Sequence, residues 1–229
     1  MMIRFYKIYK KARRVPFRLL DFIKYIFRKR KSVSQSLQEI EKYMVEGKPV
    51  KLHLGCGTNY KKGWINLDNN SDHNIVKLDL EWDLRWPLPI SDNSVDFIYH
   101  EHFLEHLTIE EGLKSLSDFR RVLKPGGIMR VAMPDLEWSM KEYFNPKWRE
   151  NPGLEKWGLA FVQTRAELIN ISFRAWGHKH LYDSEELERR LREAGFSKIV
   201  FCKHGESQHV CLSQLETREE SILIAEAEK

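Results

Sequence analysis

From residue 50 onward the chain alternates short apolar runs with stretches whose apolar residues recur every three or four positions. The runs predict strands over 50–54, 64–68, 74–78, 95–99 and 127–133, with two more near 198–203 and 221–226. Between the fourth and fifth, Thr108-Ile-Glu-Glu111 has the form of a capping box. It opens a helix whose apolar positions are Leu113, Leu116, Phe119 and Leu123. Pro125-Gly126-Gly127 stops that helix and turns the chain into the strand Ile128–Met133. Asp183-Ser-Glu-Glu186 caps a further helix, with Leu187, Leu191 and Ala194 inward and Gly195 at its end. Seven strands interleaved with helices predict an α/β fold: a doubly wound, mostly parallel sheet covered on both faces.

Before residue 47 the pattern is different. Ile8, Ala12, Val15, Leu19, Phe22 and Ile26 share one helical face, and cations crowd the positions between them. Pro16 starts a second helix or kinks the first. Arg18, Asp21 and Lys24 interrupt the apolar runs, so nothing approaches the roughly 20 residues of a spanning helix or the apolar centre of a secretory signal. Ser32–Ser36 reads as a polar hinge, followed by a helix over about 36–46 that Gly47 and Pro49 end. The chain thus divides into a basic amphipathic helical leader, 1–46, and a main domain, 47–229.

Charge sharpens this division. The net charge is +5, yet residues 1–31 alone hold 12 Lys/Arg against one acid, Asp21. The remainder carries 26 basic and 32 acidic side chains, a balance of −6. An acidic main domain has no basic nucleic-acid footprint, so nucleic acid is disfavoured as a partner. The leader suits an anionic membrane surface; packing on its own domain or on a partner, and contact with RNA, are the other readings. Cys56, Cys202 and Cys211 are scattered and odd in number, without a Cys-x-x-Cys pair. Neither a disulfide framework nor a zinc knuckle follows, and a reducing cytoplasm is the expected compartment, with attachment to the inner membrane face through the leader.

In a sheet of this kind ligands sit beyond the carboxyl ends of the strands, near the point where strand order reverses. The predicted tips are Gly55–Asn59, Asp68–Asn70, Asp79–Leu80, His100–His106 and Pro134–Trp138, where most of the unusual polar residues gather. Gly55-Cys56-Gly57 allows a sharp turn and close approach of backbone to a ligand. Asp68, at the next tip, suits the hydroxyls of a ribose. A dinucleotide fingerprint is incomplete, because Tyr60 stands where its third glycine belongs and Asp68 follows Gly55 by only thirteen positions. The absence of Lys-Ser/Thr after the glycines excludes a P-loop.

Taken in order, Leu52-His-Leu-Gly-Cys-Gly57, Gly63-Trp-Ile-Asn-Leu-Asp68, Leu78-Asp-Leu80, Trp86-Pro-Leu-Pro-Ile-Ser-Asp-Asn-Ser-Val-Asp-Phe-Ile-Tyr99, Leu104-Glu-His106 and Arg121-Val-Leu-Lys-Pro-Gly-Gly127 resemble the class I S-adenosylmethionine-dependent methyltransferases. More narrowly they are similar to the methyltransferase type 11 group associated with bacterial surface polysaccharides. Gly177-His-Lys-His-Leu-Tyr-Asp183 and Ala194-Gly-Phe196 extend the likeness, which covers about 50–229. The resemblance implies a Rossmann-like fold and S-adenosyl-L-methionine as cofactor. Gly55, Cys56 and Gly57 would pass under its methionine part, Asp68 would bind the ribose, and Asp79 and Leu80 would meet the adenine. The chain departs from the family where His53 replaces the usual acid before the glycine loop, and where the first crossover is too short for a full helix.

Methyl transfer needs an acceptor aligned behind the sulfonium methyl, water excluded and, for a hydroxyl, a general base. His102, beyond the fourth strand, is the first candidate base and His180, in the Gly-flanked loop, the second. The spacing His100-x-His102-x₃-His106 does not by itself guarantee a competent ligand set, so no metal is expected. Residues 138–182 interrupt the alternation and are rich in Trp, Tyr, Phe and Arg. They form a lid or substrate wall, or else an aromatic mini-core. Aromatic faces suit sugars and Arg suits phosphate, so the expected acceptor is a hydroxyl or amine of a saccharide, nucleotide-sugar or lipid-linked precursor. The alternatives are an RNA methyltransferase and a non-enzymatic scaffold that works through its leader.

Overall fold

The structure, a computed structural model, describes residues 48–69 and 77–229 together with Gln38. The leader's proposed helices and hinge, apart from Gln38, and residues 74–76 of the proposed third strand lie outside the described residues. Seven strands form one sheet: β1 (Lys51–Leu54), β2 (Ile65–Asp68), β3 (Leu80–Glu81), β4 (Val95–Glu101), β5 (Leu123–Met133), β6 (Ile199–Phe201) and β7 (Leu223–Glu228). Their order is β3-β2-β1-β4-β5-β7-β6. Neighbours up to β5 run parallel, and β7 is antiparallel to both β5 and β6. The chain winds outward from β1 through β2 to β3, then returns to place β4 on the other side of β1. Order reverses between β1 and β4, so the tips of these strands diverge into a crevice.

Burial explains the central strands. Leu52, Leu54, Ile98 and Met129 are fully buried, as expected where helices cover both faces. Helix α1 (Ile109–Val122) begins at Thr108, and both halves of its capping box are present. Glu111 N donates to Thr108 Oγ1, and Thr108 N donates to Glu111 Oε2. Its inner face is Leu116, Phe119 and Val122, while Leu113 is only partly buried. Pairing resumes at once: Leu123 opposes Val95, and Ile128 opposes Phe97. The Pro-Gly-Gly turn therefore bulges out within β5 rather than preceding it. The third strand lies at Leu80–Glu81, two residues beyond the predicted segment.

After β5 the chain forms α2 (Leu136–Phe144), the short α3 (Pro152–Lys156) and α4 (Arg165–Arg174) before rejoining the sheet layer. Trp148, Leu154, Leu159, Val162 and Leu168 give this insertion a small core of its own. Helix α5 (Ser184–Glu193) is capped by Asp183, whose carboxylate accepts from Glu186 N. Leu187 and Leu191 are fully buried, and Gly195 closes the helix at φ +95°. No helix among the described residues is long and apolar enough to cross a membrane.

A buried ion cluster fixes the C-terminal third. Arg130, fully buried on β5, pairs with Glu216 at 2.5 Å and Glu226 at 2.7 Å, and donates to the Glu206 carbonyl. Its guanidinium thereby anchors the long segment between β6 and β7. Removing one partner of such a cluster would strand a charge in the interior.

For two histidines inside the sheet, burial outweighs the pull of the nearby carboxylates Glu101 and Glu105. Burial lowers His53 and His100 to about 4 each. His53 Nδ1 donates to Asn66 Oδ1, whereas neither nitrogen of His100 has a hydrogen-bond partner. In the unfolded chain both titrate near 6.5. Between these values the unfolded state holds the proton and the native state does not, so stability is complete above about pH 6.5 and falls as pH drops toward 4. Each histidine should contribute up to about 3 kcal/mol of this loss. Urea unfolding across pH 7 to 4 is expected to show it, with a shallower slope for His100→Leu; parallel curves for the two proteins would refute the assignment.

Candidate active site

A cavity of about 980 Å³ opens where strand order reverses. Its floor comes from the strand tips: Gly55–Asn59 after β1, Asp68 and Asn69 after β2, Trp82–Arg85 after β3, and Glu101–Phe103 after β4. The insertion and the segment before β7 supply further lining, including Trp138, Trp157, Trp176, His178 and Arg218.

The first tip is built around two left-handed glycines, Gly55 at φ +64° and Gly57 at φ +52°. A Cβ on Gly55 would lie 3.1 Å from Phe103, so the close packing of this loop on the β4 tip requires glycine. Around a Cβ built on Gly57 there is nothing within 4 Å, which leaves open space above the bend. Gly57 N donates to Asp68 Oδ2 at 2.8 Å, and Asn69 N donates to Asp68 Oδ1. Each carboxylate oxygen keeps further lone-pair capacity on the cavity side. Cys56 is buried, with its thiol pushed up to about 12 by burial and then by Asp68, so it is a packing group and not a thiolate.

Asp79 and Leu80 are not brought to the cavity. Asp79 Oδ2 accepts from both Asn66 N and Asn66 Nδ2, and Oδ1 accepts from the Tyr60 hydroxyl. Asn66 Nδ2 in turn reaches the Lys61 and Trp64 carbonyls. These contacts satisfy the backbone of the abbreviated first crossover, the work a helix would otherwise do. Leu80 is 1% exposed in the main core. The side chains that do line the cavity at this tip are Asp83 and Leu84, a second Asp-Leu pair four residues downstream. That repeated dipeptide was the available signal. Asp83 is held by a forked contact with the Arg85 guanidinium and by Arg85 N.

At the β4 tip Glu101 is buried but fully engaged: it accepts from Thr217 N and Oγ1, Arg218 N and Ser221 Oγ. Burial pushes this carboxyl up, and the hydrogen bonds from Ser221, Thr217 and Arg218 outweigh it, leaving it below the ordinary range. His102 follows at φ +50°, a strained conformation for a non-glycine residue, and lines the cavity. Its Nε2 lies 3.1 Å from Ser221 Oγ and its Nδ1 3.3 Å from Glu105 Oε1. Both ring nitrogens therefore face acceptors, and action as a base would require releasing one contact. His180 is not a cavity residue; it packs edge-on against Tyr182 and lies 3.4 Å from Glu186. Its neighbour His178 faces the cavity instead, beside His106.

Residues 57–131 match the model of a family described as a methyltransferase domain. Residues 57–131 are a methyltransferase domain, and the cofactor that such a domain implies is S-adenosylmethionine. The matched stretch holds Gly57, Asp68, Asp83, Glu101 and His102, and stops before the insertion. No curated protein matches the chain. Among solved structures it is similar to an S-adenosylmethionine-dependent methyltransferase from Archaeoglobus fulgidus, at 18% identity over 90% of this chain and 99% of that one, with a TM-score of 0.49. It is also similar to a possible histamine N-methyltransferase from Thermotoga maritima, at 18% identity over 92% and 95% of the two chains, TM-score 0.48.

The methyltransferase domain's own residues fit the cofactor. The bare bend at Gly57 admits a ligand against the backbone, and the Asp68 carboxylate at the adjoining tip offers acceptors for a diol. Asp68→Ala is expected to weaken S-adenosylmethionine binding at least about tenfold, the loss of a charge-assisted contact. Asp79→Ala should instead lower unfolding free energy by about 1–3 kcal/mol with cofactor affinity nearly unchanged. Calorimetric titration and urea denaturation of both variants check this; a larger affinity loss at Asp79 than at Asp68 would overturn the placement.

Proposed function

We propose that this methyltransferase acts on a hydroxyl or amine of a saccharide, nucleotide-sugar or lipid-linked precursor. The observation that carries the reading is the aromatic lining that the insertion gives the cavity. Trp138, Trp157, Trp176 and Arg218 all line it, and Trp138 and Trp157 pack edge to face with centroids 4.5 Å apart. Indole faces stack on sugar rings, and a guanidinium suits phosphate.

The bound cofactor would supply an electrophilic methyl, so the protein's task is alignment and exclusion of water. Gly55–Gly57 and Asp68 would hold the donor, Asp83 and Leu84 would flank its base, and the insertion would close over the acceptor. His102 is the proposed base, acting from the β4 tip between Ser221 and Glu105. A positioned base is worth about 10²–10⁴-fold in rate. His102→Ala should therefore cut turnover by about that factor while sparing S-adenosylmethionine affinity, read by labelled methyl transfer into fractionated glycolipid and nucleotide-sugar pools. Unchanged turnover would remove His102 from the mechanism, and label entering RNA alone would replace the acceptor class.

The leader, 12 cations among its first 31 residues, would hold the enzyme at an anionic membrane surface near such precursors. Cosedimentation with vesicles containing anionic lipid should be lost on removing residues 1–31; equal binding by the shortened chain would dismiss the anchor.

A further inference from the structure

Between the cavity wall and the core, three potential ligands converge from segments far apart in sequence. Glu105 belongs to the 3₁₀ turn Leu104–His106, and His106 is its neighbour. His178 arrives from the loop that ends the insertion. One ligand atom from each lies within 4.8 Å of the others, the sole such group of three among the described residues.

The surroundings point to a ligand. Glu105 is 1% exposed; His102 Nδ1 faces its Oε1 at 3.3 Å, and its Oε2 has no hydrogen-bond partner. A buried carboxylate left this way is costly unless something positive meets it. His178 Nδ1 lies 2.8 Å from the Ser172 carbonyl. A carbonyl can only accept, so Nδ1 carries the proton and Nε2 presents a lone pair, the arrangement that orients metal-binding histidines. The main chain fixes the meeting as well. Lys179 N and His180 N both donate to the Glu105 carbonyl, and left-handed Trp176 and Gly177 turn the loop toward it. His106 and His178 line the cavity with ring centroids 5.1 Å apart, while Glu105 sits behind them.

We propose that Glu105, His106 and His178 form a binding site for a divalent first-row transition metal ion at the acceptor side of the cavity. Two imidazoles and one carboxylate suit Zn²⁺, Co²⁺, Fe²⁺ or Mn²⁺ better than Mg²⁺ or Ca²⁺, which prefer all-oxygen shells. Ligands bound at about 2.1 Å in a tetrahedral shell stand about 3.4 Å apart, so a shift of less than about an ångström by each ligand atom suffices. The sequence spacing alone lacked the third partner, which is 72 positions from His106 and joins it only through the fold. The remaining coordination positions would face the cavity, where an ion could bind an acceptor hydroxyl; that role rests on the function proposed above, whereas the binding itself does not.

The full chain, stripped with chelator, should take up one equivalent of Co²⁺ with visible ligand-field absorption, and Zn²⁺ should displace it. His178→Ala should weaken uptake at least about tenfold. Glu105→Gln, which keeps the shape and removes the charge, should do the same. Circular dichroism and S-adenosylmethionine titration on the same samples report whether each variant is folded. Failure of the stripped, folded protein to bind either ion at millimolar concentration overturns the proposal, as does equal binding by the folded variants and the parent. Metal uptake and methyl transfer are separate readouts, so loss of one leaves the other interpretable.

Discussion

The carboxylate of Glu101 is the interaction on which the site depends. It lies at the end of β4 with little access to water, so its charge has to be met by the protein. Donors from Thr217, Arg218 and Ser221 meet it, all belonging to a segment more than a hundred residues away in sequence. That one group therefore draws the run before β7 across the crevice and makes it a cavity wall. Ser221 then touches His102, which touches Glu105, so the same contact orders the polar face of the site. Arg130 supports this from below by fastening Glu216 and Glu226 to β5.

A second constraint comes from the abbreviated connection between β1 and β2. With no helix in that crossover, the backbone groups need other partners. Asn66 supplies them, meeting Lys61 N and the Lys61 and Trp64 carbonyls, and Asp79 holds Asn66 and the Tyr60 hydroxyl in place. This consumes the carboxylate that otherwise reads as the natural neighbour of adenine, and leaves Asp83 and Leu84 at the cavity. The buried His53, stacked on Tyr99 and donating to Asn66, belongs to the same arrangement.

The insertion after β5 serves two purposes at once. Trp148 and Leu168 close its small core, while Trp138, Trp157 and Trp176 face the cavity. Reading it as either a wall or a mini-core missed that different indoles of one segment take different faces. The histidines divide in the same manner. His178 and His180 are two positions apart, yet one faces the cavity and the other lies against Tyr182 and Glu186.

Local rules were enough for what depends on neighbours in sequence. The capping box at Thr108, the Asp183 cap, the Gly195 stop and the apolar runs of β1, β4 and β5 are each written within a few residues, because they arise from backbone geometry and hydrophobic period. Gly55, Gly57 and Asp68 were legible for the same reason: a bend and two adjacent strand tips bring them together. Asp79, His180 and the trio of Glu105, His106 and His178 were decided elsewhere. Their side chains go where distant donors, carbonyls and packing faces leave room, and that balance of buried polar groups exists only once the chain has closed on itself.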